Sequence, residues 1–535
     1  MMKIEDLVAA VRSRNRARAA TIMFQGTSSD AGKSLLATAL CRIFKQDGLR
    51  VAPFKSQNMS LNAYVTPDGK EIGRAQGMQA DACGIAATTD MNPILLKPSR
   101  DMMSQVVVHG KPYRDLNARD YREHYLPVAE RIVREALARL RAAHDVVVIE
   151  GAGSPAEINL KDRDIVNMRL AAWADAPVIL VADIDRGGAF ASIVGTLALL
   201  EPHERDRIVG IIINKFRGDA SLLQSGLEWL EARTGKPVLG VVPWLSGLAL
   251  EDEDSASLDR RILSGGSAMP ERSGGKTLDI AVVRLPRIAN FTDIDPLLHE
   301  QDVRVRYIFS HRHFGSPDAV IVPGSKNTAL DLRWLHDCGL ASSLHSYAAS
   351  GGRIVGICGG YQMLGERLLD PDHVESDEEE LAGLGLLPIA TTFYTAKRTV
   401  RVSGLAAPSP AFGHATELPV EGYEIHMGQS VFTGKAHHPF CIRTERESCR
   451  EAGAMSADGK VWGTYLHGIL HNDGLRLAWL NELRKDRGLP IAAQTMSFRD
   501  LRERSFDLLA EHFRKHVRMD RIYRMIAKGA DDGDS

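Results

Sequence analysis

The 535-residue sequence lacks an excess of charge of either sign. It has 66 Lys and Arg residues against 68 Asp and Glu residues, and a formal net charge of −2 at pH 7. This balance excludes a global field that would draw the protein to nucleic acid or to an anionic membrane. Cysteine is also scarce: there are six, none in a CxxC pair, so neither a zinc site nor a disulfide framework is predicted. We therefore expect reduced thiols and a cytoplasmic location.

Long hydrophobic runs are absent as well. No uninterrupted apolar stretch approaches the roughly 20 residues that a membrane-spanning helix requires. Residues 1–16 contain no apolar core of a signal peptide. What is present is the composition of a globular protein, with 44% hydrophobic and 25% charged residues. Because this length is too great for a single core, we expect two or three domains.

Two series of short apolar segments, rich in valine and isoleucine, alternate with helical patterns. Continuous apolar segments favour strands buried on both faces of a parallel sheet, with helices as crossovers. The second series indicates a more mixed sheet. We therefore predict an α/β protein with a first domain, a Ser/Gly-rich linker, a second domain, and a C-terminal helix with a disordered tail. Their predicted bounds are 1–250, 251–277, 278–495 and 496–535.

The segment QGTSSDAGKS, residues 25–34, follows a predicted strand and opens a helix. Gly32, Lys33 and Ser34 match the end of a phosphate-binding loop, although Gly26 lies one residue earlier than the pattern GxxxxGK[ST] requires. In such a loop, backbone N–H groups and a helix N-terminus face phosphates, the lysine supplies positive charge, and the serine hydroxyl ligates Mg²⁺. An ordinary glycine-rich turn is the alternative. We predict that this loop binds ATP with Mg²⁺.

The longer spacing, with Thr27 after the first glycine, resembles the dethiobiotin-synthetase branch of P-loop proteins. The segments APFKSQNMS (52–60) and VVVIEGAGS (146–154) agree with it. The resemblance implies a P-loop parallel-sheet domain in which a carboxylate attacks the γ-phosphate of ATP, and an amine then displaces the phosphate. It also implies roles for single residues. Lys55 would face the reacting groups, Glu150 and Ser34 would bind Mg²⁺, Asp30 would lie near the metal, and Asn214 would contact the base.

Each of these assignments has a plainer alternative. Lys55 is otherwise a solvated lysine, Glu150 a surface charge at a strand end, and Asp30 a turn-forming aspartate.

The segment RIVGICGGYQML, residues 353–364, places a cysteine between a strand pattern and a helix. Glycines at 356, 359 and 360 let the backbone turn sharply around Cys358, and a helix N-terminus favours the thiolate. This pattern predicts a nucleophile elbow. A buried core cysteine is the alternative.

A thiolate nucleophile needs a base and an oxyanion hole. His467, in GTYLHGIL, follows a short apolar strand, and the turn in VIVPGSKNT follows another. We predict His467 as the base and the backbone around Gly324, Ser325 and Gly359 as the oxyanion hole. A structural histidine is the alternative for His467.

This order of motifs resembles a class I glutamine amidotransferase domain, which implies a flavodoxin-like α/β fold. The resemblance assigns Cys358 as nucleophile and His467 as base. Two residues after the histidine, where the usual pattern has glutamate, stands Ile469. The site therefore works as a Cys–His dyad, or another group orients the ring. Glu424, in EGYEIHMG, is the candidate.

Longer segments in both halves resemble the cobyric acid synthase family, among them residues 54–85, 182–192 and 422–428. The resemblance implies ATP- and glutamine-dependent amidation of the b, d, e and g carboxylates of adenosylcobyrinic acid a,c-diamide. The expected corrinoid contacts come from the polar stretch 56–81, where ordinary surface polarity is the alternative for each residue. They are Gln57, Asn58, Asn62, Arg74, Gln76 and Asp81.

Other functions stay open at this point. A cobyrinic acid a,c-diamide synthase and an amidating ligase of cell-wall precursors use the same chemistry. A ParA/MinD-like ATPase switch shares similar loops but has no use for Cys358 or His467. We expect glutamine and a corrinoid as partners, no nucleic acid and no membrane, and leave homo-oligomerisation open.

Overall fold

The computed structural model describes residues 4–13, 19–100, 103–117, 126–251, 277–413 and 416–528. The helices of this part of the chain are α1 (Ile4–Ser13), α2 (Lys33–Gln46), α3 (Arg74–Cys83), α4 (Leu126–Ala143), α5 (Met168–Ala174), α6 (Ala189–Leu199), α7 (Pro202–Asp206), α8 (Gln224–Thr234), α9 (Thr328–Asp337), α10 (Leu340–Ala349), α11 (Gly359–Met363), α12 (Asp473–Asp486), α13 (Phe498–His516) and α14 (Met519–Lys528).

The strands are β1 (Ala20–Gly26), β2 (Val51–Phe54), β3 (Gln57–Met59), β4 (Ala63–Val65), β5 (Glu71–Gly73), β6 (Ile94–Arg100), β7 (Met103–Val108), β8 (Lys111–Asn117), β9 (Val146–Glu150), β10 (Val178–Asp183), β11 (Ile208–Phe216), β12 (Val238–Pro243), β13 (Leu278–Val283), β14 (Val303–Ile308), β15 (Ala319–Val322), β16 (Arg353–Ile357), β17 (Arg367–Leu369), β18 (Glu380–Ala382), β19 (Ile389–Ala406), β20 (Leu418–Phe432), β21 (Phe440–Arg443), β22 (Arg450–Ala452), β23 (Ala454–Met455), β24 (Val461–Thr464) and β25 (Leu466–His467).

The first apolar series forms one parallel sheet in the order β12-β11-β10-β1-β9-β2. Every residue of β1, β9 and β10 is buried, as expected for strands covered on both faces. This sheet belongs to the first of two compact units, which contains residues 1–60, 70–250 and 502–535. The α/β prediction is confirmed for this unit. A smaller sheet, β3-β6-β7-β8, accompanies it.

The C-terminal helices are part of the first unit. Phe506 and Phe513 on α13 are buried in its core, and Arg42 on α2 forms an ion pair with Asp507 at 2.7 Å. The sequence pattern predicted 496–535 as a separate segment, because an amphipathic pattern does not reveal which surface its apolar face covers. The predicted disordered tail and nearly all of the predicted linker lie outside the described residues.

The second unit contains residues 61–69 and 251–501. Its central sheet has the order β14-β13-β15-β16-β24-β23, parallel except for the edge strand β23. A second, mixed sheet has the order β18-β17-β19-β20-β25, with β21 and β22 attached to β19. The more mixed character expected of the second series is therefore confirmed.

A short segment from the first half of the chain lies in the second unit. The predicted first domain included residues 61–69, but here the backbone N–H of Ala63 donates to Oδ1 of Asn290 at 2.8 Å. The side chain of Asn62 accepts a hydrogen bond from Phe291 N at 3.2 Å. No composition change marks this crossing, so the sequence pattern did not reveal it.

The expectation of reduced thiols is wrong at one place. Cys441 on β21 and Cys449, just before β22, form a disulfide. Cys449 lies eight positions after Cys441, and the antiparallel pairing of β21 with β22 brings the two chain segments together. Among the described helices, none has the length and apolar character needed to cross a membrane.

Candidate functional site

Cys358 lies on the turn between β16 and α11, as the elbow prediction requires. Its backbone has φ 51° and ψ −109°, a region that residues other than glycine rarely occupy. The neighbouring glycines are required by packing: a Cβ on Gly360 would overlap the carbonyl oxygen of Val322, and one on Gly359 would lie 2.9 Å from Ser325 N. The turn therefore presents the sulfur at the carboxyl end of β16.

Two adjacent parallel strands bring Cys358 and His467 together. Ile357, the last residue of β16, pairs with Thr464, the last residue of β24, and the N–H of Cys358 donates to the Thr464 carbonyl at 2.8 Å. His467 follows three residues later on β25. The Cys358 sulfur lies 3.4 Å from the carbonyl oxygen of Ile425. The structure thus unites the predicted nucleophile and base.

Asp293 orients the His467 ring. Nδ1 of His467 donates to Oδ2 of Asp293 at 2.7 Å, and the N–H of Gly468 donates to Oδ1 at 2.7 Å. The side-chain amide nitrogen of Asn290 lies 3.3 Å from Nε2 of the ring, and Tyr423 stacks on it with a centroid distance of 5.1 Å. With Nδ1 held by the carboxylate, Nε2 is the nitrogen left for proton transfer.

The carboxylate also changes the charge state of the ring. Burial lowers the pKa of His467, but the Asp293 carboxylate and the Cys358 sulfur outweigh it and raise the pKa to about 10. Both His467 and Asp293 are almost completely buried, so their attraction is weakly screened. The raised pKa of His467 favours the protonated ring at neutral pH.

Glu424, the residue expected to orient the ring, has a different role. Its buried carboxylate accepts hydrogen bonds from Arg398 at 2.8 Å and from Arg450 at 2.6 Å. It lies on β20, where its backbone pairs with Leu466 rather than with the histidine. The prediction was wrong because nearness to the histidine's strand does not determine where a side chain points.

The predicted oxyanion turn follows β15, which pairs with β16 in parallel. A Cβ on Gly324 would lie 3.2 Å from Cε1 of His467, so this turn passes directly by the base. Ser325 is held by its hydroxyl, which donates to Asp331 at 2.7 Å. Gly324, Ser325 and Gly359 therefore lie together at the elbow, and their role as oxyanion donors stays a prediction.

In the first unit, the phosphate loop connects β1 to α2. Gly32 has φ 97°, and a Cβ there would lie 2.1 Å from the side-chain nitrogen of Asn214. A Cβ on Gly26 would lie 2.6 Å from the Ser28 carbonyl oxygen. Both glycines of the predicted loop are therefore needed for close backbone packing, despite the longer spacing.

The side chains of Lys33 and Thr27 form hydrogen bonds at the phosphate loop. Nζ of Lys33 donates to the carbonyl oxygens of Ser28 at 3.1 Å and Gly153 at 3.2 Å. Thr27 accepts a hydrogen bond from the hydroxyl of Ser192 at 3.4 Å. The lysine thus lies across the cradle that the loop forms.

Glu150 is the centre of the polar cluster beside this loop. Its Oε1 accepts the Ser34 hydroxyl at 2.7 Å and the Lys55 ammonium at 2.9 Å, and its Oε2 accepts the side chain of Gln79 at 2.7 Å. The parallel pairing of β9 with β1 and β2 places these groups at one sheet edge. Gln79 was not predicted.

Oxygen atoms of Ser34 and Glu150 suit a hard cation such as Mg²⁺. Among the residues that the structure describes, no group of three or more His, Cys, Asp and Glu side chains could hold a metal by itself.

Asp30 and Asn214 lie at the loop, but their side chains are engaged in structural contacts. Asp30 has φ 59° and pairs with Arg186 at 3.2 Å. The Asn214 amide donates to the Ala31 carbonyl at 2.8 Å. Asn214 thus holds the backbone of the phosphate loop through this hydrogen bond. Its contact with the adenine base of ATP stays a prediction.

The predicted corrinoid contacts do not all lie in one unit. The Asn58 side-chain amide donates to Oε1 of Gln76 at 3.1 Å, and Arg74 begins the helix that carries Gln76, α3. Asp81 instead forms an ion pair with Arg502 at 3.1 Å, which docks α13. Asn62 lies in the second unit, whereas Gln57 is half-buried on β3 next to Asn58.

Comparison with known proteins agrees with both halves. The model described as "CobQ/CobB/MinD/ParA nucleotide binding domain" matches residues 22–258, and "CobB/CobQ-like glutamine amidotransferase domain" matches residues 279–475. A cobyric acid synthase of Geobacillus kaustophilus is 52% identical over 95% of this chain and 98% of the relative. One from Desulforamulus reducens is 53% identical over 96% of this chain and 99% of its own. The chain belongs to the cobyric acid synthase family.

Membership of the cobyric acid synthase family confirms several expectations. The chain is a glutamine amidotransferase of the ligase class, with a nucleotide-binding domain preceding the glutamine amidotransferase domain. A ParA/MinD-like switch would account for only the first of the two matches. Asp293 and Gln79 were missed by sequence reasoning, because neither stands at a fixed spacing from a recognised motif.

Proposed function

We propose that this chain amidates the b, d, e and g carboxylates of adenosylcobyrinic acid a,c-diamide, using one ATP and one glutamine for each amide. The observation that carries the proposal is the presence, in one chain of this family, of a Cys358–His467–Asp293 centre and of a phosphate loop beside Glu150 and Lys55. A cytoplasmic location stays a prediction, and homo-oligomerisation stays open.

The glutaminase step begins with attack of the Cys358 sulfur on the side-chain carbonyl of glutamine. Backbone N–H groups near Gly324 and Gly359 stabilise the oxyanion. His467 gives its proton to the leaving nitrogen, and ammonia departs as the thioester forms. Water then loses a proton to His467 and attacks the thioester carbonyl. Glutamate leaves, and the Cys358 thiolate is restored beside the protonated His467 ring. Asp293 holds the ring in the required orientation throughout.

In the ligase step, an oxygen of the corrinoid carboxylate attacks the γ-phosphorus of ATP, and ADP leaves. Ammonia then attacks the acyl carbon, phosphate leaves, and the nitrogen loses a proton. The protein's part is positioning and charge neutralisation. Lys33 and Lys55 supply positive charge to the phosphates and the reacting carboxylate. Ser34 and Glu150 would hold Mg²⁺, which would neutralise charge on the nucleotide phosphates.

The corrinoid contacts are assigned to the polar surface of β3 and α3. Gln76 supports this assignment, because its Nε2 is buried with no hydrogen-bond partner among the described residues. A buried N–H group without a partner costs roughly 1–3 kcal/mol. A carboxylate or carboxamide oxygen of the substrate would satisfy it, with Asn58 and Arg74 nearby in the same unit.

The direct test is incubation of purified protein with the corrinoid a,c-diamide, MgATP and glutamine, followed by mass spectrometry. Conversion of the b, d, e and g carboxylates to carboxamides, with matching release of ADP and glutamate, is expected. Amidation only of a corrinoid that lacks the a and c amides would identify an a,c-diamide synthase instead. Assembly on ATP without use of glutamine would favour a switch.

A further inference from the structure

One donor to Glu150 has no part in the steps above. Nε2 of Gln79 lies 2.7 Å from Oε2 of Glu150, whereas Ser34 and Lys55 both donate to Oε1. Gln79 lies on α3 and is almost completely buried. A buried amide that donates to a buried carboxylate is among the stronger hydrogen bonds in proteins, because one partner is charged.

The same nitrogen has a second acceptor. Nε2 of Gln79 lies 3.4 Å from the carbonyl oxygen of Ser34, in the first turn of α2. The two hydrogens of one amide group thus join the end of β9 to the start of the phosphate-loop helix. A neutral double donor is suited to this place, whereas a lysine or arginine would add a cation that competes with Lys55 and the metal.

We propose that Gln79 is a positioning residue: it holds Oε2 of Glu150 so that Oε1 faces Ser34 and the Mg²⁺ of the bound nucleotide. This inference rests on the proposed function, since it concerns the metal-binding role of Glu150. Ligands to metals are oriented by hydrogen bonds to their remaining atoms, and loss of such a partner typically costs about 10- to 100-fold in metal affinity or activity.

The test is Gln79→Met, which keeps the length of the side chain and removes both N–H groups. The Mg²⁺ concentration that half-saturates ammonia-supported amidation should rise about 10- to 100-fold. Excess Mg²⁺ should restore most of the rate, and KM for the corrinoid should stay near the wild-type value. Titration calorimetry with a non-hydrolysable ATP analogue should show weaker binding when Mg²⁺ is present and unchanged binding when it is absent.

Gln224→Met is the matched control, because Gln224 donates to Glu228 at the same 2.7 Å distance on exposed α8. It should leave the Mg²⁺ dependence unchanged. If Gln79→Met does not fold, Gln79→Asn, which is too short to reach Glu150, is expected to give the same Mg²⁺ shift. Wild-type Mg²⁺ dependence in a folded variant would overturn the proposal. The calorimetry needs no corrinoid, so it tests the role of Gln79 even if the wild-type protein fails to amidate the a,c-diamide.

Discussion

The phosphate loop and the nucleophile elbow both follow a parallel strand, but they meet the demand for a positive φ differently. The phosphate loop uses glycine at position 32, where φ is 97°. The elbow uses Cys358 itself, with φ 51°. A residue other than glycine in such a region costs about 1–3 kcal/mol. The phosphate loop binds through backbone N–H groups, so glycine can occupy its position of positive φ. At the elbow the nucleophilic residue itself occupies that position, so a cysteine must adopt the strained conformation.

The two centres also differ in how they hold a buried carboxylate. Glu150 accepts hydrogen bonds from three side chains within 2.9 Å: Ser34, Lys55 and Gln79. Asp293 bonds the His467 ring and the adjacent backbone of Gly468. The first arrangement neutralises charge around a nucleotide, and the second fixes one base toward one sulfur.

Cys358→Ala should have the largest effect and should divide the two activities. Glutamine-supported amidation is expected to fall by about 10⁴-fold or more, because the nucleophile is gone. Ammonia-supported amidation should persist, since the variant leaves the phosphate loop, Lys55 and Glu150 of the first unit unchanged. The measurement compares both nitrogen sources at fixed MgATP. Cys338→Ala is the matched control and should keep both rates, and equal loss with either source in the Cys358 variant would contradict separate centres.

Asp293→Asn should rank next. An amide carries no negative charge and does not hold the proton on Nδ1 of His467 as the carboxylate does. Glutaminase turnover should therefore fall about 10²- to 10⁴-fold. Glutamate release by the purified protein measures it. Glu424→Gln, tested below its unfolding temperature, should keep turnover within several-fold, because that carboxylate binds Arg398 and Arg450. The reverse ranking would restore Glu424 as the orienting group.

Lys33→Met should impair the first unit and leave the glutaminase centre of the second unit active. Because we propose that the Lys33 ammonium neutralises charge on the ATP phosphates, its loss should lower amidation about 100- to 1,000-fold with either nitrogen source. Glutaminase turnover should change little. Lys161→Met, which removes a surface partner of Glu204, should leave both activities intact. Loss of glutaminase turnover in Lys33→Met would show that the two activities are not separable.

The smallest expected effect is on stability against pH. The folded pKa of His467, about 10, lies above the usual value near 6.5. Its contribution to the free energy of unfolding is therefore complete below about pH 6.5 and is lost as pH rises toward 10. Urea unfolding of the wild type and of His467→Gln across this range measures it. The variant should show a flatter profile, and parallel profiles would contradict the ion pair with Asp293.

Prediction succeeded where function depends on local spacing. The strand–loop–helix at Gly26–Ser34 and the elbow at Cys358 are continuous in sequence, and each needs small residues at set positions. It failed for Asp293, which lies 174 residues before His467, on the 3₁₀ helix Phe291–His299, where no motif marks it. For Asn62 and Asp81, the polar stretch did not show which element each side chain would contact, and their contact with the corrinoid stays a prediction.

By itself, the sequence determined the α/β class, the two reactive loops and the family. These follow from hydrophobic periodicity, from glycines that no other residue can replace, and from chemistry carried by adjacent residues. The tertiary structure alone decided the partners: Asp293 for His467, Gln79 for Glu150, α13 in the first unit and residues 61–69 in the second. Such contacts join residues far apart in the chain, and their energies depend on packing and burial that no local pattern records.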